Sequence, residues 1–272
     1  MARTALFKRL ISEIEPNKKW QIATVKSVHQ ESARVKLISL DLAEQTPIRA
    51  GQYFDIRLTA PDGYQAQRSY SAISSNKETN SLELAIELIT DGEVSSYLHE
   101  MVIPGDQIEL RGPIGGHFTL STNYSKPVLL VAGGSGIAPI MSMIRSRADA
   151  ESSYPLSLLF SVRTENDILF KTELEKVADE TNNFELFVTL TRSISECPSM
   201  KYITHGRIDR KMIDTVITSL IESSKTLNKN DSVSLPARAY VCGGSGFVEA
   251  IGSYLLDLGM GYDDIRTERF GP

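Results

Sequence analysis

Between Trp20 and about Gly112 the chain runs in short stretches dense in Val, Ile, Leu and Thr, broken by Gly, Pro, Asp and Asn. Such runs predict strands over residues 21–29, 34–42, 53–58, 68–73, 82–89 and 107–110, a set that suits a small antiparallel β-barrel. Residues 93–100 interrupt them as a short helix after the Asp91-Gly92 turn signal, and small Ser95 and Ser96 leave room for an anion at its start. Beyond Lys126 the rhythm changes. Strands predicted at 128–132, 156–161, 184–190 and 239–242 alternate with helices at 137–147, 171–180, 210–224 and 247–258, the order of an α/β open parallel sheet. Residues 223–234 read as loop, and the hinge between the halves falls near 121–126. At the start, Leu6, Phe7, Leu10, Ile11 and Ile14 recur at helical spacing and predict a docked terminal helix. The expected organisation is a helix over 1–19, a barrel domain over 20–122 and an α/β domain over 123–272.

A chain of 272 residues with 41% apolar content can bury a sizeable core, and its length suits two domains. The formal charge of -5 argues against nucleic acid as a partner. Two cysteines, Cys197 and Cys242, are too few for a typical iron–sulfur cluster or a disulfide framework, so cluster chemistry would belong to a partner. No apolar run approaches the roughly 20 residues of a membrane span, and no cleavable leader is evident, so the expected compartment is the cytoplasm. His29, His99, His117 and His205 lack metal-ligand spacing, no metal is expected, and no Ser, His and Asp set falls on plausible strand ends.

The chemistry begins where the apolar run from Val128 to Ala132 stops on Gly133-Gly134-Ser135-Gly136 and restarts as a helix. Glycines let backbone approach a ligand, and a helix start presents unpaired N–H groups, so this turn can cradle a pyrophosphate without a basic side chain. Pro139 stands where the common dinucleotide fingerprint has its third glycine, so the motif alone also fits a plain strand-to-helix turn. A second Gly-Gly-Ser-Gly, at 243–246, again follows an apolar strand. Ligands of open α/β sheets bind beyond the carboxyl ends of the strands, so both turns should rim one crevice.

In the barrel half, Arg68-Ser69-Tyr70-Ser71 lies on an alternating strand, with Arg68 and Tyr70 on one face and Ser69 and Ser71 on the other. That tetrapeptide, the 92–96 segment, Gly112-Pro113-Ile114-Gly115-Gly116-His117-Phe118 and the glycine crevice, in this order, resemble the ferredoxin-NADP reductase superfamily from Trp20 onward. The resemblance implies a flavin on the barrel and a nicotinamide nucleotide on the sheet, their rings meeting between the domains. It implies that Arg68 pairs with the flavin pyrophosphate, Tyr70 stacks on the isoalloxazine, Ser71 bonds near flavin N5, and Ser69 belongs to the same binding strand. Main-chain N–H groups of Val94, Ser95 and Ser96 would take more phosphate charge, and Ile86 and Glu87 would line the flavin. On the sheet side it places Gly134, Ser135 and Gly136 under the nucleotide pyrophosphate, with Pro139 opening the helix, and Cys242-Gly243 beside the reacting carbon. Near the C-terminus, Glu268 would relay a proton and Phe270 would cover the flavin ring, although this chain lacks the terminal tyrosine of plant-type members.

The strand over 156–161 ends in Val162-Arg163 with no carboxylate before Glu165, and Arg192 with Lys201-Tyr202 roughly echoes a phosphate-binding set, which favours NADPH over NADH. FAD is favoured over FMN by family frequency. The expected function is hydride transfer from NADPH to FAD, catalysed with Ser71, Cys242 and Glu268, and then electron delivery to a ferredoxin, flavodoxin, haem protein or oxygenase component. The alternatives are a flavin-binding regulatory or assembly subunit without turnover, and a flavin-free dehydrogenase.

Overall fold

The computed structural model describes residues 19–77, 79–121, 124–193, 203–227 and 233–271. The helix expected at the start lies outside them, as do Cys197 and the Lys201-Tyr202 pair.

The first half is an antiparallel sheet of β1 (Gln21–Gln30), β2 (Val35–Leu42), β3 (Tyr53–Thr59), β4 (Gln65–Ser71), β5 (Ser81–Glu87) and β6 (Gln107–Ile114), with α1 (Glu93–Glu100) between the last two. Its order is β4-β3-β6-β1-β2-β5, and the two ends meet: Ala72 bridges Leu84 and the Ile73 N–H donates to the Glu83 carbonyl at 2.9 Å, so the sheet closes on itself. Strand β5 shows the cause, since Leu82, Leu84 and Ile86 are wholly buried while the residues between them are only partly covered. Phe54, Ile56, Ile38, Leu40 and Leu110 fill the same interior, joined by Val94 and Leu98 of α1. At roughly 1.5–3 kcal/mol for each large apolar side chain removed from water, that interior dominates what holds the barrel together.

The second half contains β7 (Val128–Gly133), α2 (Ile137–Asp149), β8 (Leu156–Val162), α3 (Lys171–Glu180), β9 (Phe184–Leu190), β10 (Ile203–His205), α4 (Arg210–Leu227), β11 (Arg238–Gly244), α5 (Ser245–Asp257) and β12 (Ile265–Phe270). All strand pairs are parallel, in the order β10-β9-β8-β7-β11-β12. Strand β8 is buried at every position, as a strand covered on both faces must be. Helices α2 and α3 pack on one face of the sheet, α4 and α5 on the other.

Two strands depart from the expectation. Residues 203–205 form a short strand beside β9, and the C-terminal residues, for which no strand is expected, form β12, parallel to β11. Strand β4 starts earlier than expected, at Gln65, β6 runs on to Ile114, and α4 continues to Leu227 into the segment expected as loop. The halves are not separate bodies joined by a string. Val35, Leu37, Ala50, Ile73, Phe118 and Leu120 of the barrel half share one apolar core with α2 and the sheet, and the Tyr240 hydroxyl donates to the Thr119 carbonyl at 2.8 Å across the seam. Among the described residues no helix is long and apolar enough to cross a membrane.

Candidate functional site

Strand β7 has β8 on one side and β11 on the other, so the strand order reverses between β7 and β11, the place where open α/β sheets gather ligands. Both glycine turns end there, as expected. Gly134 has φ +56, a left-handed conformation, and opens the single 3-10 turn Gly134–Gly136 that leads into α2. A Cβ on Gly136 would lie 2.3 Å from the Cys242 carbonyl oxygen, so only glycine lets the first turn pass the end of β11. Gly133 and Gly243 are held by another contact, the Phe247 ring, which an added Cβ would meet at 3.1 and 2.7 Å. Nothing in the sequence spacing singled out Phe247. Pro139 is buried in the first turn of α2, so it shapes the helix start and offers no surface to a ligand, contrary to its expected place among the binding residues.

Across the seam from this crevice lies Ser71, the last residue of β4 and 2% exposed. Its hydroxyl donates to Glu268 Oε1 at 3.4 Å. Glu268 pairs in register with Cys242, and Phe270 with Gly244. The three residues expected to act in catalysis are therefore gathered from three strands and both domains. Burial raises the Glu268 carboxyl to about 7, and the Ser71 hydrogen bond opposes that rise. Cys242 is wholly buried, and its thiol is pushed well up by that burial and then by the Glu268 charge, so at neutral pH it is an uncharged, small apolar neighbour of the carboxyl and not a nucleophile. Phe270 is half-buried on the core shared by the two halves.

On the barrel side, Arg68 is exposed and gives one N–H to the Gln67 carbonyl at 2.7 Å, while Tyr70 packs partly on the barrel core with its hydroxyl pushed up to about 12 by burial. Three of the expected flavin contacts need correction. The Ser69 hydroxyl donates to Asp55 Oδ1 at 2.6 Å, whose other oxygen takes Arg111 at 2.6 Å, so that hydroxyl braces the barrel wall. The Ile86 side chain is wholly buried in the barrel and its carbonyl meets the His99 ring at 2.8 Å, which leaves Glu87 as the more open of that pair. The Ser96 N–H donates to the Gly92 carbonyl at 2.9 Å, so the open donors of α1 are those of Glu93, Val94 and Ser95, one residue earlier than expected. The Ser95 hydroxyl donates to the Gly92 carbonyl and accepts the Ile89 N–H at 3.1 Å, fixing that start from within.

At the far rim, Arg163 and Arg192 follow β8 and β9, both are exposed, and the Arg192 N–H donates to the Arg163 carbonyl at 2.9 Å. Two arginines separated by 29 positions thus stand side by side. The nearest downstream carboxylate, Glu165, is bound by Lys171 Nζ at 2.6 Å.

Residues 22–119 match the oxidoreductase FAD-binding domain family, and residues 130–252 match the oxidoreductase NAD-binding domain family. The chain is 29% identical over 242 residues to the plasma membrane-associated coenzyme Q6 reductase of Saccharomyces cerevisiae, covering 89% of this chain and 69% of that one. It is 26% identical to the glycine betaine monooxygenase reductase subunit of Chromohalobacter salexigens, covering 82% of this chain and 56% of that one. The chain therefore spans only part of the curated relatives it matches. Among solved structures it shares its fold with a ferredoxin NADP+ reductase from Neisseria gonorrhoeae with bound FAD and NADP, at a TM-score of 0.74, 20% identity, and coverage of 92% and 98%.

Proposed function

Since the chain belongs to the ferredoxin-NADP reductase superfamily of FAD-dependent NAD(P)H oxidoreductases, we propose that it draws hydride from NADPH in preference to NADH and delivers electrons to a separate acceptor protein, such as a ferredoxin, flavodoxin, haem protein or oxygenase component. When bound, FAD would supply hydride acceptance and electron release, singly or in pairs; the residues of this chain bind, orient and protonate.

The donor set fits a flavin dinucleotide. Arg68 offers an exposed guanidinium that matches phosphate oxygens, and the α1 start offers main-chain N–H groups beside it on the barrel. Tyr70 offers a flat ring that is only partly buried against the barrel core. On the sheet, the Gly134–Gly136 turn receives the nucleotide pyrophosphate, and Arg163 with Arg192 receives the additional phosphate of NADPH. Glu268, with its carboxyl near neutrality, holds a proton at the seam and passes it by way of the Ser71 hydroxyl.

The observation that carries this proposal is the Ser71 to Glu268 contact, which joins the flavin-side strand to the nucleotide-side strand at the switch-point crevice. Acceptor delivery is supported by the Chromohalobacter relative, a monooxygenase reductase subunit. Anaerobic mixing of the flavin-loaded protein with NADPH tests it. Rapid bleaching of the flavin band is expected, faster than with NADH at equal concentration; a flavin that stays oxidised with both nucleotides overturns it.

A further inference from the structure

Helix α2 is apolar over Ile137, Ala138, Ile140, Met141, Met143 and Ile144, yet Ser142, Arg145, Ser146 and Asp149 recur on it at i, i+3, i+4 and i+7. That spacing places four polar residues on one face, and Ser142 and Ser146 are wholly buried. Every member of the row reaches the same short segment of the barrel. The Ser142 hydroxyl donates to the Ser74 carbonyl at 2.6 Å, Arg145 Nη1 donates to the Ile73 carbonyl at 3.0 Å, Ser146 Oγ accepts the Asn76 N–H at 2.9 Å, and Asp149 lies 3.8 Å from Lys77 Nζ. Three of these four contacts go to main chain, so they fix the backbone path and not a side-chain preference. Arg145 does more: Nη1 also donates to Glu83 Oε2 on β5, and Nε and Nη2 fork onto Glu173 of α3, each at 2.7 Å. Burial works against its charge, and the two carboxylates more than offset that, so the guanidinium stays charged.

The segment it grips begins two residues after Ser71, and the helix that carries it begins at the Gly134–Gly136 turn. We propose that Ser142, Arg145 and Ser146 form a positioning row, centred on Arg145, that sets the separation between Ser71 and the glycine turn and with it the speed of hydride transfer. The inference rests on the functional reading above, because only a reaction between two bound rings is sensitive to that separation. A misplacement near 1 Å slows a positioned reaction about 100-fold, and a row of hydrogen bonds to main chain, one of them fully buried, is rigid enough to prevent it.

The test measures flavin reduction in rapid mixing at saturating NADPH for wild type, Arg145→Met, Arg145→Lys and the triple variant Arg145→Met, Glu83→Gln, Glu173→Gln. The expected result is a limiting rate about 10- to 100-fold lower in all three variants, with flavin content and half-saturating NADPH little changed. Arg145→Met leaves two carboxylates facing one another and loses thermal stability; the triple variant regains stability without regaining the rate. A rate that returns with stability, or never falls, overturns the proposal. Scanning calorimetry of flavin-free protein supplies a readout without activity: one cooperative transition in wild type and two in Arg145→Met are expected, and a single transition in both overturns the coupling. A wild-type protein that neither nucleotide bleaches fails the functional reading instead, which the same mixing experiment shows directly.

Discussion

Ser71 and Glu268 stand 197 positions apart in the chain, one closing the barrel's β4 and the other on the last strand of the sheet, and their side chains meet at 3.4 Å. Neither residue is unusual alone. Their meeting puts a hydroxyl on the flavin side within reach of a carboxyl whose burial brings it to about 7. A group poised near the working pH is the form in which a proton is most readily both held and given.

Glu268 therefore sets a pH dependence of stability with a definite sign. Its folded value of about 7 lies above its ordinary 4.5, so the folded protein keeps a proton that the unfolded chain has already lost. The resulting stabilisation is complete below pH 4.5 and is lost as pH rises through 7. Across that window wild type should lose about 3 kcal/mol relative to Glu268→Gln in denaturant titrations. The same variant should show a flat pH profile for flavin reduction where wild type changes near neutrality; parallel profiles would remove the proton role.

Arg163 and Arg192 make a prediction about the nucleotide and not about the reaction. Loss of a charge-assisted contact to phosphate is worth about 1.5–3 kcal/mol, so Arg163→Ala or Arg192→Ala should raise the KM for NADPH roughly 10- to 100-fold. The KM for NADH should stay where it was. Equal effects on both nucleotides would remove the extra phosphate from this pair.

The glycines separate by what surrounds them. A Cβ at Gly136 meets the Cys242 carbonyl at 2.3 Å, whereas Gly252, inside α5, has nothing within 4 Å. Gly136→Ala should cost about 1–3 kcal/mol through overpacking and weaken nucleotide binding. Gly252→Ala should stabilise by about 0.5–1 kcal/mol, because the helix gains a better former in open space. Thermal melts of both variants, read against wild type, check the opposite signs.

Cys242 should resist thiol reagents. Burial and the neighbouring carboxyl both disfavour its thiolate, so in a Cys197→Ser background the native protein at pH 8 should label far more slowly than the denatured one. Fast native labelling would mean that the strand end opens, and the thiol would then be available to the reaction.

Much of this arrangement is legible in the sequence because it rests on local signals. The glycine turns after β7 and β11, the alternation through Arg68 to Ser71 and the helix over 93–100 each carry their own punctuation, and each lies where its pattern puts it. What is not legible depends on partners distant in the chain. Residues 265–270 read Ile-Arg-Thr-Glu-Arg-Phe, too charged to announce a strand, and become one because β11 offers an open ladder edge. The one-residue shift at α1 comes from the Gly92 carbonyl, whose choice of donor no composition rule fixes. Ile86 and Ser69 look like binding residues by neighbourhood, and only the barrel's closure shows that one points inward and the other braces Asp55. The polar row of α2 has the spacing of a solvated face; that Ser142 and Ser146 are buried follows from what the barrel lays against them.

Strands β4 and β12 are each the outermost member of their own sheet order. The barrel's closure brings the end of β4 against β5, whereas β12 has a single ladder partner to satisfy, so its outward positions can change without unsettling the hydrophobic interior. With Glu268 carried on that margin, a lineage can alter a few border side chains of β12 while the closed barrel that holds Ser71 against it stays fixed.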